Sequence, residues 1–215
     1  MNIIDLSHYI EPGMSLFPGA TPPRLEPGDS GGFQVTALSL GNHQGTHVDA
    51  PRHLLRSGAG LDQLAISRFF GLSLLLDVSV YGGQEIPEAV FKEQADILSH
   101  CQFITLKTNW DKHWGRPEYL SGYPLLSPAA AHYLTRFSLS GVAADCLSLD
   151  PVGGEAVHRI LLGAGLILVE NLTSLDQVKG PVFLLSALPL KWHNCDGSPV
   201  RAVAMEAPAG IYYPG

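Results

Sequence analysis

Three histidines and one aspartate fall within eleven residues of this chain, in the run Gly41-Asn42-His43-Gln44-Gly45-Thr46-His47-Val48-Asp49-Ala50-Pro51-Arg52-His53. Imidazole nitrogen and carboxylate oxygen are the donors that suit zinc, manganese or iron. Two histidines and one carboxylate make an open site, His43, His47 and Asp49. Zinc that keeps a water position lowers the pKa of that water to about 7. A nearby uncoordinated base would then manage protons. His53 suits that task, because an unperturbed imidazole titrates near pH 6.5.

The spacing constrains the backbone. His43 and His47 are four apart, as on one helix face, but Gly41, Gly45, the β-branched Thr46 and Val48, and Pro51 argue against a helix. In an extended chain His43, His47, Asp49 and His53 share parity and point to one face. A straight strand would separate His43 from His47 by about 13 Å, at ~3.3 Å per residue. Ligands of one ion lie far closer, so the chain must bend, and Gly45 is the residue that permits it. Pro51 fixes the exit path and brings His53 back to the same centre.

The elements that must carry this segment read as α/β. Apolar, branched-rich runs at 34–40, 72–80, 103–107, 141–148, 166–170, 182–187 and 201–207 predict strands, many buried on both faces. Helical patterns lie between them, over 87–100, from the Ser127 N-cap and Pro128 to about Phe137, and over 154–162 with Gly163 as the stop. Pro-Gly and Pro-Pro pairs predict that 11–32 is mostly loop. A loop that long is usually functional or lies against a partner. Alternating strands and helices imply one domain over 1–215, with a mixed, mostly buried sheet and flanking helices.

Composition narrows the function classes. The chain has 215 residues, 46% hydrophobic and only 15% charged, enough for a full core without disulfides. Its 13 Lys and Arg are scattered singly within a net charge of −7, which argues against nucleic acid as a partner. Cys101, Cys146 and Cys195 form no Cys-x-x-Cys pair and read as small apolar residues of a reducing compartment. No signal peptide is evident, and the longest apolar run, 160–169, is half a membrane span. The expected location is the cytoplasm, with no membrane association. No Gly-x-Ser-x-Gly elbow, P-loop or dinucleotide fingerprint is present.

The run from His43 to His53 resembles the His-x-Gly-Thr-His-x-Asp-x-Pro-x-His signature of the cyclase superfamily of metal-dependent hydrolases, which includes bacterial kynurenine formamidase and isatin hydrolase. Asp5-Leu6-Ser7-His8-Tyr9-Ile10, Pro18-Gly19, Asp145-Cys146-Leu147-Ser148-Leu149-Asp150 and the stretch from His158 to Leu175 extend the resemblance along the chain. It implies a swivelling β/β/α domain, a homodimer or homotetramer with the N-terminal segment against a neighbour, and one or two zinc ions, with manganese an alternative. One ion would use His43, His47 and Asp49. A second would share Asp49 and add His158 and Glu170. His53 matches the catalytic position.

Read alone, His158 on an apolar helix is more often a half-buried histidine than a ligand. Glu170 ends a very apolar strand, where a carboxylate is costly unless paired or metal-bound. The reaction implied is attack of metal-activated water on an amide carbonyl with His53 shuttling the proton. An N-formyl arylamine such as N-formyl-L-kynurenine, from tryptophan breakdown, is the expected substrate. Alternatives are another small cyclic amide, imide or lactone, as in isatin opening, or a metal-binding member without catalysis. Two departures bear on substrate choice. Leu54 stands where the signature commonly continues with Phe, and Phe17-Pro18-Gly19-Ala20 lacks the usual Asp after Pro-Gly. Phe17 keeps an aromatic wall for a ring-bearing substrate.

Overall fold

The structure is a computed structural model that describes residues 2–206. In chain order its strands are β1 (Asn2–Asp5), β2 (Arg24–Ser30), β3 (Phe33–Ser39), β4 (His47–Asp49), β5 (Phe70–Asp77), β6 (Glu85–Ile86), β7 (Phe103–Lys107), β8 (Leu125–Leu126), β9 (Gly141–Ala144), β10 (Ile167–Glu170), β11 (Val182–Ser186), β12 (Gly197–Pro199) and β13 (Val203–Glu206). Its α-helices are α1 (Glu88–Lys92), α2 (Ala95–Leu98), α3 (Pro128–Leu134) and α4 (Ala156–Gly163). Among the described residues nine strands form one mixed sheet, in the order β1-β13-β11-β5-β7-β9-β10-β4-β12. β5, β7, β9 and β10 run parallel; β4 and β12 continue the sheet antiparallel.

Both faces of the central strands are covered, which explains their uninterrupted apolar runs. Along β7, Ile104 and Leu106 enter a core cluster with Phe91, Tyr119, Ala131 and Leu161, on the helical side. Phe103 enters the opposite cluster with Ile4, Phe69, Val169 and Phe183. Thr105 faces that second side, where its hydroxyl meets Ser73 Oγ at 2.7 Å across the β5–β7 pair.

Two helix ends follow from local chemistry. Ser127 Oγ accepts the Ala130 N–H and Pro128 occupies the first helical position of α3. α4 includes Gly163 instead of stopping before it. The stop is Gly165, whose φ of +82° lets Leu166 N–H reach the Leu161 carbonyl and Gly165 N–H that of Leu162. The single helix expected over 87–100 is two short ones, because the backbone leaves helical geometry at Gln94, with φ −108° and ψ 9°.

The N-terminal third departs most from the sequence reading. Residues 24–30, expected as loop, form β2, which pairs with β3 through a Gly31-Gly32 turn with both φ values positive. Pro27 is tolerated because a two-stranded ribbon leaves one strand edge unpaired. β3, one of the runs read as strands, is not sheathed by the main sheet. Every residue of the ribbon is exposed, including Phe33 at 75% and Leu38 at 64%.

Candidate metal centre

Strand β4 is short because Gly45 turns the chain just before it. Its φ is +65°, and a side chain there would also press on Ile10. Three further contacts lock the turn. Thr46 Oγ1 donates to the Asn171 carbonyl at 2.6 Å and accepts the His8 N–H at 2.9 Å, while Asn171 Nδ2 donates to the Gly45 carbonyl at 3.0 Å. Asn171 holds φ +57° and its Oδ1 accepts Tyr119 Oη at 2.7 Å, so a buried amide secures the bend on both sides.

From β4, His47 and Asp49 project to the same face, as residues two apart in a strand must. Pairing with β10 sets Glu170 opposite His47, and pairing with β12 sets Gly197 opposite Asp49. Pro51 then opens a short 3₁₀ turn that ends at His53. α4 supplies His158. All six residues named from sequence as ligands or base therefore line one cavity of about 550 Å³. Phe17 lines it too, 45% exposed at its wall. Leu54 and Ala20, the two departures from the family pattern, are also lining residues.

Asp49 is the hub. Its Oδ1 lies 2.6 Å from His43 Nδ1 and 3.4 Å from His47 Nε2, and its Oδ2 lies 3.8 Å from His158 Nε2. Glu170 reaches from the other side, 3.7 Å from His47 Nε2 and 3.2 Å from His158 Nε2. Two sets of ligand-type atoms, each mutually within 4.8 Å, share Asp49: His43–Asp49–His53 and His47–Asp49–Glu170.

Each histidine is aimed by a partner on its far nitrogen. His47 Nδ1 donates to the Gly45 carbonyl at 2.9 Å, and His158 Nδ1 donates to Asp150 Oδ2 at 2.7 Å. Both rings thereby present Nε2 to the centre, the arrangement that orients metal ligands. Asp150 is held in turn by the backbone N–H groups of Val157 and His158 at the start of α4.

The electrostatics ask for a cation. Burial alone would lower the histidine pKa values. For His43 the hydrogen bonds to Asp196 and Asp49 outweigh burial and raise it to about 10. For His158 the hydrogen bond to Asp150 and the nearby Glu170 and Asp49 carboxylates do the same, also to about 10. Burial would raise Asp49, but the charges of His47 and His43 hold it well below the usual carboxylate range. Glu170 Oε1 is buried and receives no hydrogen bond of usable angle, even with His158 Nε2 at 3.2 Å. Such an orphan is costly in a protein interior. Nitrogen and carboxylate donors converging on it fit a divalent ion of the zinc or manganese type.

Sequence reasoning missed one residue of the cluster. Asp196 Oδ2 lies 2.9 Å from His43 Nε2 and 3.3 Å from His53 Nδ1, and the hydrogen bond from His43 holds Asp196 below its ordinary pKa. Cys195-Asp196-Gly197 reads as a turn, and only the β12–β4 pairing brings it to the site. Gly197 itself is a cradle. A Cβ there would lie 2.8 Å from His43 Nδ1 and 2.9 Å from Nε2.

Comparisons with known proteins place the family and the fold. Kynurenine formamidase of Salinibacter ruber (strain DSM 13855 / M31) is 31% identical over 218 residues, covering 97% of this chain and 99% of that protein. Kynurenine formamidase of Geobacillus thermodenitrificans (strain NG80-2) is 29% identical over 93% of this chain and 95% of its own length. In fold the chain is similar to isatin hydrolase A from Ralstonia solanacearum, with a TM-score of 0.85 at 21% identity, covering 96% of this chain and 92% of that one. The family model described as "Putative cyclase" matches residues 4–151, which include the whole run from His43 to His53 but neither His158 nor Glu170. With that match over more than half its length, and full-length kinship at 31% identity, the chain belongs to the cyclase family.

Proposed function

We propose that this cyclase-family protein is a metal-dependent hydrolase that cleaves an N-formyl arylamine, N-formyl-L-kynurenine being the leading candidate. Kinship with kynurenine formamidases supports hydrolysis of a non-peptide C–N bond. The observation that carries the reading is the convergence of His43, His47, His158 and Glu170 on Asp49, with a carboxylate oxygen buried and undonated at its centre.

His43, His47 and Asp49 would hold one ion, and Asp49, His158 and Glu170 a second, zinc or manganese. A divalent ion bound there polarises a carbonyl oxygen and acidifies water. The chain's own residues do the rest. Phe17 stacks against the aryl ring and fixes the amide in the cavity. His53 accepts the proton of the attacking water as its oxygen bonds to the formyl carbon. It then returns that proton to the aniline nitrogen as the C–N bond breaks, releasing formate and the free amine. The cavity lining holds no lysine or arginine among the described residues, and its Glu155 is paired with Arg159 Nε at 2.8 Å. The exposed apolar side chains of the β2–β3 ribbon support self-association as a dimer or tetramer.

Purified protein supplied with Zn2+ or Mn2+ and offered N-formyl-L-kynurenine and isatin side by side tests the substrate. Kynurenine release well above the isatin-opening rate supports formamidase activity. The reverse preference assigns cyclic amides, and no hydrolysis of either, or of lactones and imides, refutes the hydrolase reading.

A further inference from the structure

Asp196 stands in an unusual position for a residue outside both ligand sets. Its backbone is tied to the metal-site strand, because its carbonyl accepts the Ala50 N–H at 2.8 Å. Its carboxylate collects three donors. Asn42 Nδ2 gives to Oδ1 at 2.5 Å, and the rings of His43 and His53 both meet Oδ2. The two rings lie side by side, with centroids 4.0 Å apart. An ionised carboxylate only accepts, so both facing ring nitrogens must carry hydrogen. His43 has its other nitrogen on Asp49, whereas His53 shows no hydrogen bond at Nε2.

We infer that Asp196 is a positioning residue that holds His53 as its Nδ1–H tautomer, leaving Nε2 bare to accept a proton. This rests on the reading that His53 moves the proton in hydrolysis. A ring nitrogen's protonation is set by the bond its partner nitrogen makes. Free histidine favours hydrogen on Nε2, the tautomer that could not act as a base from that atom. Without Asp196 the ring would be free to turn and to take the inactive tautomer. The same oxygen also supports His43, so an effect on metal affinity has to be separated from an effect on His53.

Long-range 1H–15N correlation spectra of histidine-labelled, zinc-loaded protein at pH 8 report the tautomer directly. His53 is assigned by its loss in His53→Ala. The wild type is expected to show His53 protonated at Nδ1, and Asp196→Ala to shift it toward Nε2–H at unchanged zinc equivalents. Asp196→Asn keeps the volume and one acceptor oxygen; it is expected to give a mixture and serves if the alanine variant does not fold. On turnover, Asp196→Ala should lower kcat about 10–100-fold, the usual cost of an orienting partner, but less than about threefold when His53 is already alanine, as expected of residues acting as a unit. An unchanged tautomer in both variants overturns the proposal. So does an undiminished loss of about 10–100-fold when Asp196→Ala is added to His53→Ala. A shifted tautomer in a protein that hydrolyses none of the substrates upholds the positioning role and rejects the hydrolase reading instead.

Discussion

Replacing Gly197 with alanine adds one methyl group, and the structure says where it goes. The new Cβ would sit 2.8 and 2.9 Å from the two ring nitrogens of His43, with the carbon between them nearer still. Ordinary contacts between such atoms are about 3.5–4.0 Å, so ring or strand must retreat by roughly 1 Å. The ring has nowhere free to go, since Asp49 holds Nδ1 at 2.6 Å and Asp196 holds Nε2 at 2.9 Å. Metal sites tolerate displacements of about 0.2 Å. The variant is therefore expected to lose at least about 10–100-fold in zinc affinity, the range seen when a ligand's orienting partner is removed. Overpacking costs about 1–3 kcal/mol of stability, a fall of about 2–12 °C in Tm for a chain this size. Chelator competition and calorimetry read both. Gly163→Ala is the control, because a Cβ there meets open space at the end of α4. It should bind zinc normally and gain up to about 1 kcal/mol. Wild-type zinc affinity in Gly197→Ala would refute the placement of His43 against β12.

Three further outcomes follow from the same geometry. Phe17→Ala should raise KM for an aryl substrate about 2–10-fold with kcat little changed, since stacking is worth about 0.5–1.5 kcal/mol; a kcat loss with constant KM in steady-state kinetics would contradict its role. His8 is stacked on Trp114 with ring centroids 3.9 Å apart, and its Nε2 is buried without a partner. Burial pulls its pKa down to about 4 from 6.5, with the Asp111 charge opposing. The fold thus favours the neutral ring; its contribution is intact above pH 6.5 and is lost as pH falls toward 4, with a ceiling of about 3 kcal/mol. Denaturant titrations of His8→Phe should show a flatter acid limb over that window, and an unchanged limb would exclude His8. Chelation of the metal should lower Tm, because an ion bound at 100 times its Kd adds about 2.7 kcal/mol to the folded state; identical melting with and without chelator would count against a metal-stabilised cluster.

What the sequence discloses about the site is what is local in it. The bend at Gly45 follows from impossible ligand distances in a straight strand, and its φ of +65° is the answer the chain gives. Pro51 predicts the turn that returns His53. His158 and Glu170 lie more than a hundred residues away, and no periodicity connects them to His47. The resemblance alone joined them; the β10–β4 register supplies the physical reason for Glu170, and α4 carries His158. Asp196 and the aim that Asp150 gives His158 were illegible, since both depend on which elements become neighbours. β4 and β12 are three residues each, too short for any alternation to register. β2 was hidden by Pro27-Gly28, which reads as a break but sits in strand paired with β3. Ala207, expected to end the last strand, lies outside the described residues.

Metal equivalents per chain, by elemental analysis of protein purified without chelator, test the central claim most directly when wild type, Asp49→Ala and His158→Ala are compared. Asp49 is the carboxylate both ligand sets share. The account predicts one or two equivalents of zinc or manganese in the wild type, none in Asp49→Ala, and no more than one in His158→Ala. Full metal content in folded Asp49→Ala, or a wild type that takes up no divalent ion when supplied with one, would contradict it.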